Sequence, residues 1–358
     1  MSRIAAVAPA LPPFAYTQEE ITAELAPLIT PDAGSPRRAV LERLHAASGI
    51  STRHLAVPLE RYATLTDFGQ TNDLFVSVGL DLAEQALRDA LKLCGLVPED
   101  VDHIMFTSVT GVSAPSLDAL LVARLGMRPD VRRVPVFGLG CVAGAAGIAR
   151  VHDYLTGHPD DVAVLISVEL CSLTLQHGDD SMANLVSSGL FGDGAAAVVM
   201  VGDERAARLG LAGPDVVGTV SRLYPDTESL LGWDVGGSGF RIVLSASLSD
   251  VVERNLGEDV AGLLSAHGLA LDDVATWVAH TGGPRVLEAV ERTLGLDRAA
   301  LRLSWRSLDR VGNLSSSAVL HVLADTIAEG PAVAGPGVLF AMGPGICAEL
   351  VLLDWRED

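Results

Sequence analysis

Residues 136–147 read VFGLGCVAGAAG, an apolar run that predicts a strand, a glycine bend and a helix of very small residues. Cys141 stands at the start of that helix, where unpaired N–H groups and the helix dipole favour an anion. Such a position lowers the pKa of a thiol and so favours the thiolate, which is the nucleophilic form. Taken alone, the segment fits a buried structural cysteine better, because that is the commoner role of a free thiol.

The composition limits the classes of function. Asp and Glu outnumber Lys and Arg by 45 to 25, and the net charge of −20 disfavours a nucleic-acid partner. The four cysteines are far apart and form no CxxC pair, so we expect neither a metal site nor a disulfide framework. A reducing cytoplasmic location follows. No apolar run approaches the ~20 residues that cross a bilayer, so we expect no membrane insertion.

Strands and helices alternate along the chain. Helical periodicity over 72–93 stops at Gly95, and an apolar strand follows at 102–109. The same patterns predict further strands at 162–168, 195–201, 276–280, 338–342 and 349–353, and further helices at 117–125, 143–156, 246–266, 284–294 and 316–328. Alternation of this kind indicates an α/β fold with both faces of the sheet covered.

Two internal matches indicate a duplication. CGLVPEDVDHIM at 94–105 resembles HGLALDDVATWV at 267–278 without gaps, at an offset of 173 (268 minus 95). FGDGAAAVV at 191–199 resembles MGPGICAEL at 342–350. Units of glycine, turn and strand also recur by chance in α/β proteins, but two matches in the same order favour a duplicated fold.

The repeat predicts a shared site. Adding the offset to Cys141 leads to VGNLSSSAVL at 311–320, again a glycine followed by a helix of small residues. If the halves pack about a pseudo-twofold axis, the two helix starts meet at its centre. His280 ends the strand of the second half that corresponds to the strand ending at Thr107. We therefore expect Cys141, His280 and Asn313 to come together.

A cysteine, a histidine and an asparagine suit acyl transfer. The thiolate attacks a thioester carbonyl, the histidine keeps the thiol ionised as its ion-pair partner, and His280 and Asn313 donate hydrogen bonds to a developing oxyanion. A hydrolase could use the same set. His280 could instead be a core histidine, and Asn313 could be a helix N-cap.

Five segments carry a resemblance to a known family. They are GCVAG at 140–144, LFGDGAAA at 190–197, WVAHTGGP at 277–284, GNLSS at 312–316 and GPG at 343–345. In order and spacing they resemble the type III polyketide synthases, the chalcone synthase-like family, and most of all its bacterial branch. The resemblance implies a thiolase-like α/β fold of two duplicated αβαβα halves with a five-layered core. The first half, 1–205, would carry the nucleophile, and the second, 206–358, the histidine and asparagine.

The resemblance also implies an activity. A homodimer would condense malonyl-CoA repeatedly, with decarboxylation, onto an acyl-CoA starter. Cys141 would hold the starter and the growing chain, while His280 and Asn313 would bind the malonyl thioester carbonyl and stabilise the enolate. No metal or redox cofactor is implied, since the CoA thioesters are substrates.

Further site residues come from the same resemblance. Phe191 and Phe240 match two aromatic gatekeepers, although either could be a core residue. The other cavity residues implied are Thr110, Ala114, Cys171, Thr174, Ser315, Gly343, Pro344 and Gly345. For CoA the resemblance implies Arg43, Gly282 and Gly283, while Arg37, Arg38 and Arg53 could add charge or form an ordinary solvated surface.

Departures from the family pattern bear on the starter. Thr281 replaces the usual proline after the histidine, Ala114 replaces a methionine that reaches across the dimer, and Cys171 replaces a threonine. The small side chains at 114 and 171 predict a roomy cavity and a fatty acyl starter, giving alkylresorcinols or alkylpyrones. Three alternatives stay open: a synthase primed with malonyl-CoA that makes a tetrahydroxynaphthalene or dihydroxyphenylacetyl product, a ketoacyl synthase III that uses an acyl carrier protein, and a protein that only binds acyl chains.

Overall fold

The computed structural model describes residues 1–330 and 333–355. The described residues form the strands β1 Ser2–Ala10, β2 Phe14–Thr17, β3 Thr52–Leu55, β4 His103–Thr107, β5 Arg132–Val136, β6 Val162–Leu170, β7 Asp193–Gly202, β8 Asp215–Leu223, β9 Leu231–Gly236, β10 Gly239–Leu244, β11 Thr276–Ala279, β12 Gly335–Gly343 and β13 Cys347–Trp355. The helices are α1 Gln18–Ile29, α2 Pro36–Ala46, α3 Phe68–Leu93, α4 Leu117–Leu125, α5 Ala143–Gly157, α6 Met182–Leu190, α7 Asp203–Leu209, α8 Leu248–Ser265, α9 Pro284–Leu294, α10 Arg302–Val311 and α11 Ala318–Glu329.

The strand order reveals the duplication. Within the described residues, nine strands form one sheet in the order β11-β12-β13-β8-β1-β7-β6-β4-β5. In the first half, β4 pairs with β6 in parallel, and β7 pairs antiparallel with β6 and β1. In the second half, β11 pairs with β12 in parallel, and β13 pairs antiparallel with β12 and β8. The same pairing pattern in both halves confirms the predicted duplicated, thiolase-like fold.

Strand β7 shows how the layers arise. Because successive side chains of a strand point to opposite faces, Ala195, Ala197 and Val199 enter one apolar core with α3, while Ala196, Val198 and Met200 enter a central core. The central core also contains the buried faces of α5 and α11. A third core lies between the strands of the second half and α8 and α9. The two halves of the sheet, which join where Ser2 and Arg3 of β1 pair with β8, form two layers that alternate with three layers of helices, which is the five-layered arrangement.

The two central helices approach each other closely because α5 begins with very small residues. A Cβ atom on Gly144 would overlap the carbonyl oxygen of Ser316, and one on Gly147 would overlap the side chain of Leu165. The small residues after Cys141 thus allow α5 to pack tightly against its neighbours. This packing places the start of α5 against the turn that precedes α11.

The boundaries of most predicted elements agree with the structure within two or three residues, and α4 and α9 agree at both ends. The predicted boundary between residues 205 and 206 falls inside α7, so the division into two halves at that point stays a prediction. In the described part of the chain, no helix is long and apolar enough to cross a membrane. The expected cytoplasmic location also stays a prediction.

Candidate active site

Cys141 lies in a short 3₁₀ turn, Gly140–Val142, that leads directly into α5. Gly140 has a φ of +57°, and a Cβ there would lie 2.5 Å from the ring of Pro344. Only glycine therefore allows this turn to pack under the loop at 343–345. Cys141 is 9% exposed, and its thiol donates a hydrogen bond to Ser315 Oγ at 3.7 Å.

Behind Ser315 lies a buried carboxyl group that the sequence analysis did not single out. Ser315 donates to Glu169 Oε1 at 3.3 Å, and Thr110 donates to Oε2 at 2.9 Å. The backbone N–H of Val109 and the hydroxyl of Ser316 also donate to Glu169. Burial raises the pKa of Glu169 and outweighs the opposing effect of these hydrogen bonds. The one sequence signal that could have identified Glu169 is its position as a single charged residue at the end of the apolar run VAVLISV.

Asn313 is held by backbone hydrogen bonds between the two halves. Its N–H donates to the Leu190 carbonyl at 2.9 Å, and its own carbonyl accepts from the Gly192 N–H at 3.0 Å. The side-chain oxygen accepts from the Ser315 N–H at 2.8 Å. This local bond fixes the orientation of the carboxamide, and no hydrogen bond joins Nδ2 to another described residue. Nδ2 is therefore the donor left for a ligand.

The structure brings Cys141, His280 and Asn313 to one small cavity of about 40 Å³. His280 follows β11, and its N–H donates to the carbonyl of Phe340 at 3.0 Å. The ring is 7% exposed, and Nδ1 is buried with no hydrogen-bond partner among the described residues. The imidazole is thus positioned by the backbone of a strand end and by packing.

Burial has a large effect on both titratable groups. It raises the pKa of Cys141 to about 12 and lowers the pKa of His280 to about 4, so each group by itself is neutral at pH 7. The thiol pKa thus moves against the decrease expected at a helix start. Transfer of the thiol proton to His280 would place opposite charges on two groups that line one cavity, and their attraction would reduce the cost of burying each charge. We therefore predict that Cys141 and His280 titrate as one coupled pair.

This coupling predicts the reactivity of the thiol. The variant His280→Ala removes the group that accepts the proton of Cys141, while the thiolate stays costly to bury. We therefore expect the pKa of the thiol to rise and its alkylation by iodoacetamide at pH 7 to slow by at least about tenfold. The pH at which the alkylation rate begins to rise should also be higher in the variant than in the unaltered protein. Intact mass spectrometry over time at several pH values measures both effects. His158→Ala, which alters a histidine stacked on Tyr154, is the control, and superimposable profiles for all three proteins would refute the coupling.

A second cavity, of about 60 Å³, lies beside Cys141. Several residues implied by the resemblance line it: Thr110, Cys171, Thr174, Phe191, Ser315 and Pro344. Several large apolar residues of its wall were not predicted from the sequence, among them Leu231, Trp233 and Ile242. Phe191 and Leu231 line both cavities, so they stand at the junction between them.

Other expected cavity residues lie elsewhere. Ala114 is exposed and precedes a cis proline. Phe240 is not among the described residues that line either cavity, and Ile242 on the same strand lines the larger one. Gly343 packs against the cysteine turn, since a Cβ there would lie 2.6 Å from the Leu139 carbonyl oxygen. The N–H of Gly345 donates to the Leu231 carbonyl at 3.1 Å.

The residues expected to bind CoA are also dispersed. Arg43 is exposed on α2, Gly282 lines the smaller cavity, and Gly283, with a φ of +131°, precedes α9. Arg53 is 2% exposed, and its guanidinium donates to Gln18 and to the Phe191 carbonyl. Arg53 is therefore too deeply buried to hold phosphates at the surface.

Comparisons with known proteins cover nearly the whole chain. Residues 1–204 match the family model for the N-terminal domain of chalcone and stilbene synthases, and residues 215–355 match the one for the C-terminal domain. A 1,3,6,8-tetrahydroxynaphthalene synthase from Streptomyces peucetius is 57% identical over 98% of this chain and 93% of its own length. A 3,5-dihydroxyphenylacetyl-CoA synthase from Streptomyces toyocaensis is 31% identical over 99% of this chain and 90% of its own. The crystal structure of a bacterial type III polyketide synthase, the tetrahydroxynaphthalene synthase of Streptomyces coelicolor, superposes with a TM-score of 0.92 at 32% identity, covering 99% of this chain and 100% of that one.

Proposed function

This chain belongs to the chalcone and stilbene synthase family as a type III polyketide synthase, and we propose that it uses malonyl-CoA both as starter and as extender to make 1,3,6,8-tetrahydroxynaphthalene. The observation that carries this proposal is the 57% identity to a tetrahydroxynaphthalene synthase along almost the full length of both chains. It favours the malonyl-primed alternative over the fatty acyl starter expected from the residues at 114 and 171.

The larger cavity supports the same choice of starter. Cys171 lines it, but so do Trp233, Leu231 and Ile242, whose bulk restricts the space near Cys141. Ala114 is exposed and so adds no room to the cavity of its own chain. A short acyl group suits this enclosure better than a long alkyl chain.

The arrangement supports a loading step and an extension step. In loading, His280 accepts the proton of Cys141, the thiolate attacks the thioester carbonyl, and CoA leaves as its thiol after regaining that proton. In extension, the carbonyl oxygen of a second malonyl-CoA accepts hydrogen bonds from His280 and Asn313 Nδ2, which stabilise the enolate formed as CO₂ departs. The enolate carbon then attacks the acyl group on Cys141 and releases the thiolate, and the chain that stays bound to CoA returns to Cys141 for the next cycle.

Incubation with malonyl-CoA as the sole substrate tests the proposal. We expect tetrahydroxynaphthalene and its oxidation products, identified by chromatography and mass spectrometry against a standard. Parallel reactions contain acetyl-CoA, octanoyl-CoA or malonyl groups on an acyl carrier protein. A requirement for a long acyl-CoA starter would restore the fatty acyl alternative, and strict dependence on the carrier protein would favour a ketoacyl synthase III.

We also propose that the chain forms a homodimer through β5. This strand is at one end of the nine-stranded sheet, and its residues are exposed except for the last, which is half-buried. Val112, Val134 and Phe137 expose 42%, 45% and 50% of their surface in this region. Because unpaired edge strands readily pair with another chain, we expect twice the chain mass in sedimentation equilibrium. Val134→Asp should shift that mass towards one chain, whereas an unchanged mass would place the interface elsewhere.

A further inference from the structure

Phe240 belongs to an apolar face that extends beyond the cavities. The β9–β10 hairpin forms a separate two-stranded sheet, in which Leu231 pairs with Leu244, Trp233 with Ile242, and Val235 with Phe240. Side chains of such cross-strand pairs share one face of a hairpin. Three of the six line the larger cavity, and Leu244 lines the smaller one. The hairpin is therefore a common wall of both cavities, and Phe240 continues that wall outward.

Phe240 connects this wall to the main body of the protein. Its ring centroid lies 5.9 Å from that of Trp233, 5.2 Å from that of Phe68 in an edge-on contact, and 5.9 Å from that of Phe137. Aromatic pairs at these separations attract each other beyond the effect of burial alone. Phe68 begins α3, and Phe137 follows β5. Because an isolated two-stranded hairpin is only marginally stable, the position of the hairpin depends on contacts of this kind.

We propose that Phe240, seated against Phe68 and Phe137, is a positioning residue that holds Trp233 against the larger cavity and thereby sets the length of acyl starter that the cavity accepts. Phe240 is 4% exposed and does not need to touch the substrate to act in this way. The inference rests on the part of the proposed function in which Trp233 restricts the cavity. Truncation of Phe240 removes the support behind the indole, which can then turn away from Cys141 and lengthen the cavity.

A double-mutant cycle tests whether Phe240 acts through Trp233. The readout is the ratio of kcat/KM for octanoyl-CoA to that for acetyl-CoA as starter, with malonyl-CoA as extender in both reactions. We expect Phe240→Ala to raise this ratio about tenfold, the lower end of the discrimination that an apolar pocket achieves for one methylene. Trp233→Ala should raise it at least as much. In the Trp233→Ala background, Phe240→Ala should change the ratio by less than about twofold.

Two further variants separate positioning from stability. Phe240→Leu keeps an apolar side chain and should fold even if Phe240→Ala does not, with a smaller rise in the ratio. Phe106→Ala removes an aromatic ring that is 6% exposed in the first core and lines neither cavity, so it should leave the ratio unchanged.

Two outcomes would overturn the inference. One is an equal rise of the ratio in both backgrounds, since Phe240 would then act independently of Trp233. The other is an unchanged ratio in the folded Phe240→Ala or Phe240→Leu protein, since the contact would then affect only stability. Failure of the malonyl-primed function is a separate result, because it is seen in the unaltered protein with malonyl-CoA alone, whereas this ratio compares two other starters.

Discussion

Replacement of Cys141 by alanine should lower polyketide formation by roughly 10⁴-fold or more, the scale seen when a covalent nucleophile is removed. We expect no other thiol to take over, because Cys171 lines the larger cavity but not the smaller one, where His280 and Asn313 lie. Intact mass spectrometry after incubation with malonyl-CoA should show an acyl adduct on the unaltered protein and none on the variant.

The same variant separates covalent chemistry from decarboxylation. His280 and Asn313 are untouched, so Cys141→Ala should still convert malonyl-CoA to acetyl-CoA, detected by chromatography. Cys94→Ala is the matched control, because Cys94 caps the C-terminus of α3 and its thiol donates only to the backbone of that helix. An acyl adduct on Cys141→Ala, with turnover undiminished, would mean that the nucleophile has been misidentified.

Asn313→Ala should lower decarboxylation and polyketide formation together by about 10²- to 10³-fold, the usual cost of removing one donor from an oxyanion site. The physical reason is that Nδ2 is the carboxamide donor left for the thioester carbonyl once Ser315 has bound the side-chain oxygen. Acyl loading of Cys141 should persist, because that step uses the thiol and the imidazole. Release of labelled CO₂ and formation of the acyl adduct measure the two effects separately.

The backbone of Asn313 joins the two halves, so stability has to be measured alongside activity. Asn255→Ala is a suitable control, since the Asn255 carboxamide donates only to the Val251 carbonyl within α8. We expect both variants to unfold within a few degrees of the unaltered protein. Equal losses of decarboxylation in the two variants, or no loss in Asn313→Ala, would remove the carboxamide from the enolate step.

The sequence predicted the duplicated fold because long buried strands and small-residue helices leave strong periodic signals, as in β7 and α5. It also singled out Cys141, His280 and Asn313, which line one cavity, because the offset between the repeats acts as a long-range constraint. The β9–β10 hairpin was missed, since its alternation is short and interrupted by glycines. Glu169 was missed because its hydrogen-bond donors come from two segments that are far apart in the chain, around Thr110 and around Ser315, and only the tertiary structure brings them together.

Phe240 illustrates a second limit of prediction from the sequence. A phenylalanine near the expected position matched the gatekeeper pattern, but the register of the hairpin places Ile242 at the cavity and Phe240 at the outer end. Neighbouring residues in a strand cannot be assigned to a cavity without that register. The expectation of a fatty acyl starter rested on residues 114 and 171 alone, because the sequence does not show that Ala114 is exposed or that Trp233 lines the larger cavity.

The hydrogen bonds between Asn313 and the segment from Leu190 to Gly192 have a consequence for how the enzyme can fail. The groups that we propose as catalytic come from both repeats, and main-chain hydrogen bonds hold the repeats together beside them. We therefore expect activity only while the two repeats are packed against each other. Heating or denaturant should therefore abolish catalytic turnover and unfold the chain in a single cooperative transition, with no folded but inactive intermediate. We expect either half of the chain, expressed by itself, to have no catalytic activity even if it folds.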